Sequence, residues 1–267
     1  MIGASRGSLA RAQASLSARQ GDLSTLSAEL FAVVATIANE KSLRHTLADS
    51  GQPEGARKAL VSDLLGSKVS AATLEVVGDI VSARWSSDHD LVEAIETVAA
   101  QAAFAAADKA NTLDRVEDEV FLFGRAIDAS PELQMALTDP ALGSAEKGAI
   151  VGDLLGGKVD AVTLSVLKYY ASNLRGRRVD AVVSELSDLA GEARNQSVAE
   201  VRSAVTLNES QTQRLAAALS TIAGRQVKVN VAIDPTVVGG ISVKLGDQII
   251  DGTVATRLEN ARRSLLA

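Results

Sequence analysis

Through most of this chain apolar residues recur every three or four positions; beyond about residue 197 they recur every second one. The first spacing keeps side chains on one face of a helix, the second on one face of a strand. Between residues 160 and 174, Val162, Leu164, Val166, Leu167, Tyr170 and Leu174 predict a helix with one buried face. Punctuation divides its surroundings into helical segments at roughly 98–111, 113–128, 130–137, 144–155, 160–174 and 178–194. Ser130 stands as an N-cap before Pro131, Ser144 as another after Gly143, and Gly156-Gly157 as a left-handed stop.

The same pattern occurs twice. Residues 28–77 align without a gap on residues 118–167, at a constant offset of 90. Glu29, Phe31 and Ile37 recur as Glu119, Phe121 and Ile127, and Leu43, Leu47 and Asp49 as Leu133, Leu137 and Asp139. The string Asp63-Leu64-Leu65-Gly66, Lys68-Val69 returns as Asp153-Leu154-Leu155-Gly156, Lys158-Val159. Amphipathic helices that converge on a shared face would not keep such a string, so the chain contains a duplication. No Gly or Pro occurs from Asp79 to Phe123, which predicts one long helix near residues 90–111 joining the copies.

The period-two region reads as a small mixed module. Val198, Val201, Ala204 and Val205 predict a strand, then Asn208 or Ser210 caps a helix carrying Leu215, Leu219 and Ile222 that stops at Gly224. Val227, Val229, Val231 and Ile233 alternate up to Pro235; Ile241, Val243 and Leu245 follow; Gly246-Asp247 turns the chain into Gln248-Ile249-Ile250. A last helix over 253–265 carries Leu258, Ala261 and Leu265.

Asp234, Gly239, Gly240, Lys244, Asp251 and Gly252, followed by Thr253, together resemble the signature of the ATP synthase delta subunit family, called OSCP in mitochondria. A structural role for the double glycine, a bulge or a tight entry into the hairpin, is favoured over a ligand cradle. In the second copy Leu137-Thr138-Asp139-Pro140, Glu146-Lys147 and Asn173-Leu174-Arg175, Arg177 also match the family. The commonest family form has one helical bundle, and two copies are similar to the enlarged actinobacterial form. The resemblance implies a stator protein without catalytic residues, cofactor or metal. It further implies that a helical bundle grips the N-terminal helix of an alpha subunit between its first and fifth helices. The C-terminal domain would hold the C-terminal end of the b subunit. On the second copy the groove candidates are Phe104, Ala107, Leu164, Leu167 and Tyr170, some of which must instead face the core.

Composition narrows the alternatives. With 27 basic and 33 acidic residues, the chain lacks the balance of a general nucleic-acid binder. Without cysteine there is no disulfide or thiolate site, and His45 and His89 have no carboxylates at metal-ligand spacing. The richest apolar run, Val98–Ala107, contains Gln101 and is too short to span a bilayer, and no apolar signal core follows the N-terminus. A soluble chain at the cytoplasmic face of the bacterial membrane, reaching it only through the complex, is the expectation.

Two strings imitate catalytic motifs. Gly152-Asp153-Leu154-Leu155-Gly156-Gly157-Lys158 mimics a phosphate loop, but Val159 offers no hydroxyl for magnesium and no strand precedes it. Gly3-Ala4-Ser5-Arg6-Gly7 mimics a nucleophile elbow without the strand an elbow needs, so Ser5 or Ser8 reads as an N-cap. Arg175, Arg177 and Arg178 read as helix-end solvation or as a contact with an acidic partner, Trp85 as core or anchor, and Glu117-Asp118-Glu119 as a solvated face. The expected fold is mainly α: two tandem six-helix bundles at 1–97 and 98–196, then a small α/β domain at 197–267. A helical scaffold outside the family is the competing class, and the C-terminal signature speaks against it. An enzyme is the other, and no convergent His, Cys or carboxylate set supports it.

Overall fold

The computed structural model describes the chain except residues 2, 18, 20, 224–226, 235–236, 238, 246–247 and 254–267. The predicted stop at Gly224, Pro235, the turn at Gly246-Asp247 and nearly all of the last helix lie outside the described residues. Met1–Ala190 and Gly191–Ala267 form two compact units.

The first unit is helical. It contains α1 (Ala4–Ser17), α2 (Leu23–Asn39), α3 (Lys41–Ala48), α4 (Glu54–Leu65), α5 (Ala71–Ser82), α6 (Asp88–Lys109), α7 (Leu113–Ala129), α8 (Pro131–Thr138), α9 (Ser144–Leu155) and α10 (Ala161–Ser172). It also takes α11 (Val179–Ser197) as far as Ala190. The bounds of α2 to α5 recur in α7 to α10, each shifted by 90 residues. The counterpart of α1 lies inside α6, and the counterpart of α6 is α11. Helix α6 therefore ends the first copy and begins the second.

The predicted joining helix is thus present, 22 residues long. Ser87 caps it by accepting from the Asp90 amide at 3.1 Å; Asp88 and Asp90 complement the dipole at one end and Lys109 at the other. From Leu91 to Ala107 it is buried on nearly every side. A helix apolar all round must be packed all round, and its alanines let neighbouring backbones approach. α2 lies along it, with Ser27 Oγ donating to the Ala99 carbonyl at 2.8 Å.

The repeat also duplicates a clamp. Glu29 Oε2 accepts from the Ser70 amide at 3.0 Å and from the hydroxyls of Ser70 and Thr73 at 2.7 and 2.5 Å. Ninety residues on, Glu119 Oε2 accepts from the Asp160 amide at 2.8 Å and the Thr163 hydroxyl at 2.6 Å. Each carboxylate sits at the positive end of its copy's fifth helix and pins the second helix to it. This corrects the reading of Glu119 as a solvated face; Asp118, one residue earlier, is exposed.

Other local expectations divide. Ser130 caps α8 by accepting from the Leu133 amide at 3.3 Å. Ser144 does not cap α9; it is the first helical residue, and Gly143 precedes it with its amide donating to the Glu146 carboxylate at 2.8 Å. Ser5 is no N-cap either. It is buried within α1, where its hydroxyl donates to Asp90 at 2.6 Å and accepts from the Ser86 amide at 2.8 Å. Trp85 is core, 5 % exposed, its indole N–H donating to the Ile80 carbonyl at 2.8 Å.

The second unit holds β1 (Val198–Ser203), α12 (Glu209–Ala223), β2 (Lys228–Ile233), β3 (Ile241–Leu245) and β4 (Gln248–Asp251). Asn208 caps α12: its side chain accepts from the Gln211 amide at 2.8 Å while Gln211 returns a bond to the Asn208 amide at 2.9 Å. The sheet runs β2-β1-β3-β4, parallel between β1 and β2 and antiparallel elsewhere. Ala199, Val201, Val243 and Leu245 form one core with Leu219 of α12 and Val227. Glu200, Arg202 and Lys244 alternate with these and are exposed, as expected of a sheet with one wet face.

Candidate functional site

Apart from Lys244, the signature residues of the second unit gather around the start of β3. Gly240 has φ +81°, and a Cβ there would lie 2.5 Å from the Gly252 carbonyl oxygen and 3.0 Å from Thr253 Cα. Only glycine supplies both that backbone angle and that clearance. Gly252 answers with its amide, donating to the Ile241 carbonyl at 2.9 Å, and Asp251 Oδ1 accepts from the Thr253 amide at 2.9 Å. Asp234 donates its amide to the Ser203 carbonyl at 2.9 Å, and its carboxylate lies 3.9 Å from Arg202. Lys244 is exposed and stands opposite Glu200 across β1 and β3, a favourable cross-strand pair. Gly239 precedes this contact and is partly buried.

The groove candidates lie elsewhere, in the first unit. Phe104, Ala107, Leu167 and Tyr170 are buried, and Leu164 is partly buried. Four of the five therefore line no groove open to a guest in this structure. The reason is the shared helix. On α1, residues 6, 7, 10, 14 and 17 are exposed; their counterparts on α6, Glu96, Thr97, Ala100, Phe104 and Ala107, are all buried. The face that a first helix leaves open is used by α6 as the last helix of the preceding copy. α2 also reaches past α6 to α10: the Phe31 ring lies 4.3 Å from Tyr169 and 6.1 Å from Tyr170.

In the first copy the equivalent face, between α1 and α5, is open and polar. Arg19 pairs with Glu75, and Ser15 donates to Asp79 at 3.0 Å, tying α1 to α5. Ala10, Ala14, Ala71 and Ala72 are exposed beside these bridges. Asp79 occupies the position that Tyr169 holds in the second copy.

The arginine cluster has an acidic partner, and it is internal. Glu96 of α6 is 1 % exposed. It accepts from the Tyr169 hydroxyl at 2.9 Å, pairs with Arg177 at 3.1 Å and also pairs with Arg175. Arg175 sits at φ 48°, in the turn between α10 and α11. Burial and then the Glu96 charge push the Tyr169 phenol up, so it stays a donor. Arg178 instead pairs with Asp180 at the surface. Neither reading of the cluster from sequence included Glu96, although a fully buried carboxylate on α6 requires such a partner.

Nothing in the imitated motifs gains chemistry. Lys158 donates to the Leu154 carbonyl at 2.9 Å, spending its charge on the end of α9. Among the described residues no group of His, Asp and Glu is arranged to hold a metal, and no helix is long and apolar enough to cross a membrane.

Comparison with known proteins agrees with this architecture. The family model described as ATP synthase delta (OSCP) subunit matches residues 95–265. The protein named ATP synthase subunit delta from Streptomyces griseus is 43 % identical over 269 residues, covering 99 % of each chain. Its namesake from Thermobifida fusca is 44 % identical over 241 residues, covering 90 % of each chain, and that from Nocardia farcinica 40 % over 272 residues. One chain of the cryo-EM structure of the Toxoplasma gondii mitochondrial ATP synthase hexamer aligns with TM-score 0.34 and 24 % identity, covering 64 % of this chain and 97 % of that one. With relatives similar from end to end, and a family match that begins where the second copy begins, the chain belongs to the ATP synthase delta (OSCP) subunit family.

Proposed function

We propose that this chain, a non-catalytic stator subunit of an ATP synthase peripheral stalk, takes hold of the catalytic head through its helical unit and of the stalk through its C-terminal unit. The partners are an N-terminal helix of an alpha subunit and the C-terminal end of the b subunit. By holding the head against the rotor, the chain lets proton-driven rotation become conformational work. The duplication divides as 1–97, the extra copy, and 98–196, the copy the family shares, with 197–267 as the stalk-binding part. Support for the first two comes from the family match at 95–265.

One observation supports a site for the alpha helix. The outer face of α6 is buried against the first copy, whereas the corresponding face of α1 is exposed. The open surface between a first and a fifth helix is therefore α1–α5, and the guest helix docks there, over Ala10, Ala14 and Ala72. Phe104, Ala107, Leu167 and Tyr170 then act by joining the two copies, and Leu164 is the one candidate with surface left for a partner. On the second unit, exposed Ile249 of β4 offers the b subunit an apolar contact. Lys244 stands in register with it, and Asp234, Gly239, Gly240, Asp251 and Gly252 shape the other end of the same strand pair. Localisation follows from the assembly: peripheral, on the cytoplasmic face of the membrane.

Two experiments test this. Membranes stripped of the chain should still hydrolyse ATP but fail to pump protons, and adding the chain should restore pumping; pumping that survives its removal ends the stator reading. Calorimetric titration of an alpha N-terminal peptide should lose binding with Ala14→Asp and keep it with Leu164→Asp. The reverse pattern would return the guest to α6–α10.

A further inference from the structure

The second copy holds a cleft of about 750 Å³ among α8, the start of α9 and the turn from α10 to α11. At the equivalent positions of the first copy, two large side chains are packed into the fold. Arg57 is 4 % exposed, and its guanidinium donates to the carbonyls of Val81, Ser82 and Ala83 at 2.6, 3.2 and 3.0 Å. Trp85 is buried and bonded to the Ile80 carbonyl. Ninety residues on, their counterparts are Lys147 and Arg175, and both line the cleft. Lys147 is partly buried, and among the described residues its ammonium makes no hydrogen bond or ion pair. The Nε and Nη1 atoms of Arg175 are buried without a bonding partner. Buried donors are nearly always satisfied, so two on one side chain mark a place for an acceptor.

Charge changes between the copies in the same direction. Where the first copy has Ser87 and Asp88, the second has Arg177 and Arg178, which also line the cleft. Asp180 lines it too and is engaged by Arg178 at 2.7 Å, while Glu96 is shared by Arg175 and Arg177. Four cations against two carboxylates leave the cleft positive. The other acidic residues on these segments, Glu132, Asp139 and Glu146, are exposed and do not line it. Asp139 and Glu146 instead accept from the backbone amides of Ala141 and Gly143, each at 2.8 Å.

We propose that this cleft binds a phosphate monoester, its phosphate held by Lys147 and the arginines and its organic body lying against Pro131, Met135 and Pro140. A phosphate fits the donors better than a carboxylate does. Near pH 7 a monoester carries almost two charges on three strong acceptor oxygens, and arginine forks and a lysine point charge are the groups that hold them. The size of the cleft calls for an ester and not the bare ion, since it is in the range of sites for small organic ligands and far larger than one phosphate. Part of its wall is apolar, which a bare ion would leave uncovered. Soluble esters and lipid headgroups share this chemistry. Bound there, either would tie α8 and the start of α9 to the α10–α11 turn.

Calorimetric titration of the full chain with phenyl phosphate tests this. The ester should bind with a Kd below about 1 mM at low salt and more weakly at high salt. Inorganic phosphate should bind less tightly, and benzoate, which has the same ring and a single charge, should not bind measurably. Lys147→Met should weaken phenyl phosphate about tenfold with the Trp85 unfolding transition in place, because the ammonium bonds nothing in the fold. Arg178→Ala, on an exposed pair, should weaken it in the same direction and guards against a folding defect at position 147. Amide resonances of residues 144–147 and 173–178 should shift on titration. Vesicles containing phosphatidic acid separate the sources: sedimentation of the chain, reversed by phenyl phosphate, assigns a lipid headgroup, and a chain that stays in solution assigns a soluble ester. The proposal is overturned by equal binding to Lys147→Met, by shifts confined to other residues, or by no heat at about 10 mM ester. Tighter binding of benzoate or of hexaglutamate than of phenyl phosphate overturns it too, the last in favour of an acidic peptide.

Discussion

Glu96→Gln removes one charge and almost no volume from the interior of the first unit. Glu96 is 1 % exposed, while the side chains of Arg175 and Arg177 retain 22 % and 21 % exposure. Breaking a fully buried ion pair by removing one partner costs about 3–5 kcal/mol, because the remaining charge is left without compensation. Here water reaches both guanidinium groups in part, and the glutamine oxygen still accepts from one donor, so the loss should be about 2–3 kcal/mol. Trp85 is the chain's one tryptophan, and its indole is buried and bonded in the first unit, so its emission follows that unit alone. With a urea slope of about 2–3 kcal/mol/M, the midpoint should fall by about 1 M. Arg178→Ala, which breaks an exposed pair, should leave the midpoint in place and serves as the control. If Glu96→Gln moves the transition by less than about 0.5 kcal/mol, the cluster does not hold α6 to the α10–α11 turn and the argument from burial fails.

The two repeat clamps predict an acid response. Burial pushes Glu29 and Glu119 up, but hydrogen bonds from Thr73 and Ser70, and from Thr163, Asp160 and Arg115, outweigh it and hold both below their ordinary value of 4.5. A depressed carboxyl stays ionised in the folded chain while the unfolded chain takes up protons. Its stabilisation is whole above the unfolded value and is lost as pH falls through the folded one. The urea midpoint should therefore drop as pH falls below 4.5, and less steeply in Glu29→Gln/Glu119→Gln; equal slopes would refute the assignment. Phe31→Ala should cost about 3–4 kcal/mol by opening a cavity against Tyr169, whereas Phe121→Ala should stay within about 0.5 kcal/mol, and comparable losses would deny the difference in burial. Gly240→Ala should destabilise the second unit by about 1–3 kcal/mol, read as faster amide exchange in β3 and β4 with the Trp85 transition unmoved. Unaltered exchange would show that the close approach to Gly252 is dispensable.

What could be read in the sequence was local or repeated. The cap at Ser130, the choice of Asn208 or Ser210 and the Gly- and Pro-free stretch around α6 are decided within a few residues, and the fold follows them closely. What was missed needed partners far apart. Glu119 reads as surface beside Glu117 and Asp118 until Thr163, 44 residues on, is seen to bond it. The retained pairing of Glu29 with Thr73 and Glu119 with Thr163 was the available signal. Arg175 and Arg177 find Glu96 roughly eighty residues back, and no periodicity announces that. The groove candidates lie on α6 and α10, but α6 carries two buried stripes at once, and apolar spacing alone does not say which neighbour each one meets.

That double duty of α6 is also the strongest link between fold and task. Two bundles joined by a flexible linker would swing, with a reach set by chain statistics. Here the join is the core of both. Any rotation of one copy against the other must unpack α2 from α6 at Ser27 and Ala99, slide Phe31 off Tyr169, and disturb the buried pairs at Glu96. Close-packed interiors resist such shear because they have no slack to absorb it. A subunit that holds a static head against a turning rotor needs stiffness between its contacts more than it needs affinity at any one of them. Fusing the copies through a shared helix supplies that stiffness, at the cost of burying the face of α6 whose counterpart on α1 is exposed. The open face is thereby moved to α1–α5, one bundle further from the C-terminal unit along the chain.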